Sequence, residues 1–443
     1  MTTTRQPARS TDAAVPRTDL SFLERAIRSV DADAFVHVGD RFDDSMRYLT
    51  RFAGPDRPYA FVFVPGANED SGRSAEATAD RSVKTTADRS GEDANADRSR
   101  AVLCAPGLFV AQATREFVDH HGEIDGVSRS VRSTSIGDPP GDRAARTLDR
   151  SLKPSADSTV LVPAHLPHEA AVRLESAGYE LRSTDAVAAV RRQKSPAEID
   201  RLRAVQSAAV RGMRRAESIL AVSEPASETG ALTYNGSPLT TERLRRAIDA
   251  ELAESGVRAA GNTVIGAGQS AADLHFTGEE PIAPGETVLI DISPRGPAGY
   301  YGDLTRTFVK AGDGGWERRA YVAVEAAREA ALAHLKAGVP ASQIHTEAAA
   351  ELGAYGFRID AGEGESGFTH GTGHGVGLSL HEGPSLRSDH TLEAGHVVTI
   401  EPGVYDPDRG GVRLEDLVVV TEQGYELLAP YPFSIVPETR TDR

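Results

Sequence analysis

Apolar residues recur along this chain with two different periods, and the switches between them mark out its elements. Leu20, Leu23, Ala26, Ile27 and Val30 follow the spacing of a helix. The run DAFVHVG then reads as a buried strand, a short helix is predicted over Met46–Phe52, and YAFVFVP reads as a second strand ending at Pro65. This alternation predicts an α/β domain. It breaks between Gly66 and Ser99, where ADRS recurs at residues 79–82, 87–90 and 96–99. With almost no apolar residue this stretch cannot offset its ordering entropy, which predicts a disordered acidic insertion. RAVLCAP resumes the strand pattern at Arg100, as an insertion between two strands requires. A mostly polar stretch, Ser128–Ser155, precedes the strand STVLVPAHLP and a helix from His168 to Ala177.

A boundary follows near Val190. Ser195-Pro196-Ala197-Glu198 has the form of a capping box with proline at the first helical position. Behind it Ile199, Leu202, Val205, Ala209, Met213 and Ile219 keep helical spacing. Further helices are predicted from about Thr241 to Ser255 and from Glu317 to Lys336, the latter stopped by Gly338 and Pro340. ETVLIDIS, DLTRTFVK, GHVVTIEP and RLEDLVVV read as strands. The expected organisation is a polar N-terminus (1–18), an α/β domain (19–192, with 66–99 inserted) and an α+β domain (193–443).

Composition narrows the class. A hydrophobic content of 39% and a mean hydropathy of -0.35 are those of a soluble globular protein. No apolar run approaches the ~18–20 residues of a membrane span, and the N-terminus shows no secretory signal, so a cytoplasmic setting is expected. Cys104 is the only cysteine, which excludes an intramolecular disulfide and leaves a small buried apolar residue. The formal charge is -16, and lysine occurs only at positions 84, 153, 194, 310 and 336. Many carboxylates with almost no lysine suit a salt-rich medium, where the Debye length falls to ~3 Å at 1 M. The composition resembles that of halophilic archaeal proteins. No basic stripe offers itself to nucleic acid.

The chemistry gathers in the last third. Asp291 lies in VLIDIS behind a buried strand pattern, and a carboxylate that deep costs several kcal/mol unless paired or metal-bound. Asp303, in YYGDLTRTF, follows 12 residues later, a span that suits a hairpin. HGTGHGVGLSLHEGP holds His370, His374 and His381. Gly371, Gly373, Gly375 and Gly377 within it argue against a zinc-binding helix and for a loop that brings backbone close to a substrate. The glycines match neither a dinucleotide fingerprint nor a phosphate loop. Glu401 sits in VTIEPGVY and Glu415 in GVRLEDLVVV, where Arg413 alternates with it along the strand. His275, in AADLHF, is a further candidate, though a histidine beside phenylalanine is more often structural. Four carboxylates and one imidazole in one pocket would repel each other without cations. Such an oxygen-rich set suits Mn, Co, Fe or Zn, and five ligands are about what two metals ~3.5–4 Å apart need.

These five phrases, in this order over about residues 194–437, resemble the pita-bread metallopeptidases: methionine aminopeptidase, prolidase and aminopeptidase P. DRFDDSMRYLTRFAG followed by PYAFVFVP is similar to the N-terminal domain of the creatinase–prolidase–aminopeptidase P branch, which methionine aminopeptidases lack. The resemblance implies an α+β pita-bread catalytic domain preceded by an α/β creatinase/prolidase-type domain. It implies that Asp291, Asp303, His374, Glu401 and Glu415 hold two divalent metals, manganese first and otherwise cobalt, iron or zinc. It makes Glu401 the general base, His381 the stabiliser of the tetrahedral intermediate, His275 and His370 substrate contacts, and Arg413 a support. The implied reaction is release of an N-terminal residue preceding proline. The alternatives are a dipeptidase (prolidase), another reaction on the same metal scaffold, and a peptidase-like binding module without catalysis. A homodimer is expected from the branch.

Overall fold

The computed structural model describes residues 15–66, 98–152, 158–226, 230–362 and 364–440. Most of the expected disordered N-terminus and nearly all of the acidic insertion lie outside the described residues. The chain divides into two compact units, one spanning Arg17–Val190 and the other built on Arg191–Arg443.

The first unit is a six-stranded mixed sheet. Its strand order is Ser128–Thr134, Arg100–Pro106, Tyr59–Val64, Ala34–Gly39, Thr159–Pro163, Glu180–Thr184. Ala34–Gly39 pairs antiparallel with Tyr59–Val64 and parallel with Thr159–Pro163. The strands flanking the insertion, Tyr59–Val64 and Arg100–Pro106, also pair antiparallel. Because side chains alternate across a sheet, Val36, Val38, Ala60 and Val62 face one core with Leu148 and Leu174. Phe35 and Phe61 face the other way, stacked edge-to-face with Phe117 behind them. Two elements were not legible in the polar stretch: the strand Ser128–Thr134 and the helix Pro140–Ser151. The strand SRSVRST lies at the sheet's edge, with one neighbour only, so it shows no apolar face.

The second unit contains two similar halves. In the first, the helices Pro196–Val222 and Thr241–Glu254 cover the antiparallel sheet Val264–Ala267, Thr287–Ile292, Leu304–Val309. The expected capping box is present: the Ser195 side chain accepts from the Glu198 amide, and Glu198 accepts from the Ser195 amide. Leu202, Val205, Ala209, Met213 and Ile219 are buried as their spacing predicts. Each large side chain among them contributes ~1.5–3 kcal/mol of burial. In the second half, Trp316–His334 and Ala341–Ala354 cover Val397–Ile400, Asp416–Val420 and Tyr425–Leu427. The helix Ala341–Ala354 escaped the sequence reading because Ile344 and Leu352 are its only large buried residues. The two three-stranded sheets carry the acidic residues at their strand ends.

Candidate metal centre

The first carboxylate pair comes from a hairpin. Asp291 pairs across it with Thr305, and Asp303 sits immediately before the partner strand. Gln206, 1% exposed on the long helix Pro196–Val222, clamps the Asp303 backbone from both sides. It donates from Nε2 to the Asp303 carbonyl and accepts from the Asp303 amide, each at 2.7 Å. The second pair flanks the end of the other ladder. Ile400 pairs with Asp416, so Glu401 and Glu415 lie one step beyond it on facing chains. The Thr305 hydroxyl donates to Glu415 Oε2 at 2.7 Å and the Glu415 amide donates to the Thr305 carbonyl, which joins the two halves.

The glycine-rich run is a loop, as expected, with no helix between Thr369 and Pro384. A Cβ on Gly373 would stand 2.0 Å from the Thr399 carbonyl oxygen, and one on Gly375 would stand 2.2 Å from that of Gly383. Glycine here lets His374 lie against the strand Val397–Ile400, where its amide donates to Thr399 Oγ1 at 3.0 Å. Nδ1 of His374 faces the Gly375 carbonyl at 3.1 Å, a contact that places the proton there and leaves Nε2 as a bare donor atom.

All five sequence-predicted ligands line one cavity of about 500 Å³. Asp291, Asp303 and Glu415 offer oxygens within 4.8 Å of one another. His374 Nε2 lies 3.3 Å from Glu401 Oε1 and 3.8 Å from Asp303 Oδ2. Burial, reinforced by Asp291 and Glu401, raises the Asp303 carboxyl well above the ordinary range. Burial, with Asp303 and Glu401, does the same to Glu415. Asp291 and Glu401 are also raised, mainly by burial. Among the described residues, the buried cation facing them is Arg413, whose Nη2 donates to Asp291 Oδ2 at 2.6 Å. One guanidinium cannot balance four carboxylates, so this donor set fits divalent cations in number, charge and chemistry.

The remaining predicted residues lie around the same cavity. His381 stacks edge-on against His374 with ring centroids 4.3 Å apart. Burial and the imidazoles of His374 and His275 lower its pKa. His275 is exposed on the cavity wall. His370 is different: Nδ1 faces the Gly371 carbonyl at 2.7 Å and Nε2 the Tyr405 hydroxyl at 2.8 Å. Burial, helped by Arg413, pushes its pKa down to about 3, so the ring is neutral. Tyr405 also accepts from Arg413 Nη1 at 3.1 Å. Gln206, Thr305 and Tyr405 were missed in the sequence because each is an ordinary neutral residue inside a regular element. Arg387, another cavity-lining side chain, was missed as one arginine among many.

A family model described as metallopeptidase family M24 matches residues 200–422, half of the chain. The chain belongs to that family. M24 proteins use divalent metal ions, in keeping with the donor set. Among the sequences this M24 chain is similar to, the Xaa-Pro dipeptidase of Pyrococcus furiosus is 36% identical over 170 residues, 38% of this chain and 47% of that protein. The chain spans about half the length of the curated relatives it matches. A solved Xaa-Pro dipeptidase from Bacillus anthracis aligns over 94% of this chain and 98% of its own, with TM-score 0.72 and 22% identity. The X-Pro aminopeptidase of Thermotoga maritima aligns over 93% and 99%, with TM-score 0.69 and 21% identity. These likenesses show the pita-bread M24 fold preceded by an α/β domain, as the motifs implied.

Proposed function

We propose that this M24 member is a dinuclear metal-dependent exopeptidase that hydrolyses the bond between an N-terminal residue and a following proline. The convergence of Asp291, Asp303, His374, Glu401 and Glu415 on one cavity carries the proposal. The names of its relatives, Xaa-Pro dipeptidase and X-Pro aminopeptidase, support the proline-directed substrate. When bound, two divalent cations supply charge that polarises a carbonyl and acidifies water. Glu401 is the general base. Thr399 donates to its Oε1 at 3.1 Å, which orients the carboxylate. It takes a proton from the attacking water as the new C–O bond forms and delivers it to the proline nitrogen as the C–N bond breaks. His381, neutral beside His374, donates an N–H to the developing charge on the carbonyl oxygen. Arg413 holds Asp291 and Tyr405, and Tyr405 in turn holds His370 at the cavity wall.

One observation favours the dipeptidase as a second reading. Arg387 lines the cavity, and no described carboxylate is ion-paired with it. A guanidinium there suits the free carboxylate of a dipeptide. Manganese, a homodimer and a salt-rich cytoplasm complete the reading. The composition, with 65 acidic residues against 49 basic ones and few lysines, supports the salt. The test is hydrolysis of Ala-Pro-Ala and Ala-Pro in concentrated KCl, after chelation and again with Mn²⁺ restored. Alanine release that needs metal supports the assignment. No release under any metal or salt condition moves it to another reaction on this scaffold. Arg387→Ala should raise KM for Ala-Pro at least tenfold more than for Ala-Pro-Ala; equal changes sink the dipeptidase reading.

A further inference from the structure

A second group of metal-ligand type lies in the first unit, where neither the family match nor the reaction calls for one. His37 is on the central strand Ala34–Gly39, Asp43 immediately precedes the helix Asp44–Thr50, and His165 follows the strand Thr159–Pro163. Each offers one atom within 4.8 Å of the other two. His37 Nε2 is 2.8 Å from Asp43 Oδ1, and His165 Nε2 is 3.8 Å from Asp43 Oδ2. Two ligands of one tetrahedral ion with bonds of ~2.0–2.2 Å lie about 3.4 Å apart, so the 3.8 Å pair is near that spacing and the 2.8 Å pair, now in hydrogen-bond contact, opens by about 0.6 Å to share the ion. The three side chains grade outward: His37 is 0% exposed, Asp43 19% and His165 58%. A site built this way has a fixed inner ligand and an entry path from solvent.

The topology points to the same place independently. Ala34–Gly39 and Thr159–Pro163 are parallel neighbours, and His37 and His165 lie toward and just past their carboxyl ends. The chain leaves the first strand for its neighbour on one side and the second for its neighbour on the other. A crevice where connections diverge like this is where open α/β sheets hold ligands. Local packing keeps the carboxylate there. Asp43 Oδ1 accepts from the Met46 amide at 2.7 Å, and a Cβ on Gly39 would meet the Asp43 side chain at 2.6 Å. The ring tautomer of His37 is not fixed from behind, because its buried Nδ1 has no hydrogen-bond partner among the described residues. Moving the proton to Nδ1 turns an Nε2 lone pair toward Asp43, an arrangement that a cation between them stabilises.

We propose that His37, Asp43 and His165 form a separate site for one borderline transition-metal ion, of the Zn²⁺ class. Two imidazoles with one carboxylate select Zn²⁺ over Mn²⁺ more strongly than the carboxylate-rich centre does. The test uses the full chain, stripped by chelation and dialysed to equilibrium against graded free Zn²⁺ or Mn²⁺, with bound metal measured directly. His165→Ala, at an exposed position, should bind one Zn²⁺ fewer than the parent protein, with Mn²⁺ content and Mn²⁺-restored peptide hydrolysis unchanged. Asp43→Asn keeps the acceptor for the Met46 amide and should lose the same Zn²⁺. Equal Zn²⁺ content in parent and both variants overturns the proposal and leaves a His37–Asp43 hydrogen bond. Loss of Mn²⁺ together with Zn²⁺ overturns it too, by tracing the effect to the other centre.

Discussion

Replacing Gln206 by leucine tests whether Asp303 is held from behind. The side chain is 1% exposed, so leucine fills nearly the same space without contacting solvent. Two hydrogen bonds of 2.7 Å are lost, and the amide and carbonyl of Asp303 are left buried and unpaired. Each unsatisfied group costs about 1–3 kcal/mol, which gives about 2–6 kcal/mol before the structure relaxes. Relaxation means movement of the Asp303 backbone, and misplacing an outer support of a metal site weakens metal binding about 10- to 100-fold. The assay pairs urea unfolding of the apo-protein with Mn²⁺ titration followed by restored peptidase activity. Gln206→Glu is the control, since it can accept from the Asp303 amide but, when ionised, cannot donate to its carbonyl. Its loss should match or exceed that of leucine because it adds a charge to a carboxylate cluster. Stability within about 0.5 kcal/mol of the parent, with unchanged Mn²⁺ affinity, would show that the strand alone fixes Asp303.

Other outcomes follow from the same structure. Glu401→Gln should keep the fold and lower turnover by at least ~10²–10⁴, the usual share of a general base; near-normal turnover refutes its role. Chelation should lower Tm as well as activity, because an ion present at 100 times its Kd stabilises the folded chain by about 2.7 kcal/mol, and differential scanning fluorimetry reads this directly. His121, buried in the first unit, has its pKa lowered from 6.5 to about 3 by burial and then Arg129. The unfolded chain therefore binds a proton that the folded one refuses between these values. Stability from this group is complete above pH 6.5 and falls by about 3 kcal/mol on acidification to pH 4. His121→Leu should flatten the dependence of Tm on pH across that window, and an unchanged slope rules out His121 as its source.

The candidate ligands were legible because a metal centre would demand charged residues in otherwise apolar strands. Asp291 after Val288, Leu289 and Ile290 has no structural reason to be there. The glycine-rich loop was readable for a related reason, since four glycines near His374 exclude helix. What holds these side chains was not readable. Gln206 differs in no local way from any polar residue on a helix, and its role exists only because that helix crosses Asp303 97 residues later. Tyr405 looks like a strand residue, yet its hydroxyl joins Arg413 to His370. Among the elements, the edge strand Ser128–Thr134 and the alanine-rich helix Ala341–Ala354 went unread because burial there is slight or falls on small side chains. The cluster of His37, Asp43 and His165 is invisible along the chain because Asp43 and His165 lie 122 positions apart.

The division of the catalytic unit into two halves also bears on how the protein comes into being. Asp291 and Asp303 belong to the first hairpin, while Glu401 and Glu415 come from strands about a hundred residues further on. The early half supplies all of its core but Tyr431 and the adjoining Ala429, which come from the end of the chain, and it offers only two of the four carboxylates. A centre assembled this way lacks half of its candidate carboxylates until the second sheet has paired. A chain broken off between Val309 and Val397 lacks both Glu401 and Glu415. On the proposed reading, activity therefore requires both halves, and a fragment holding only one carries an incomplete site.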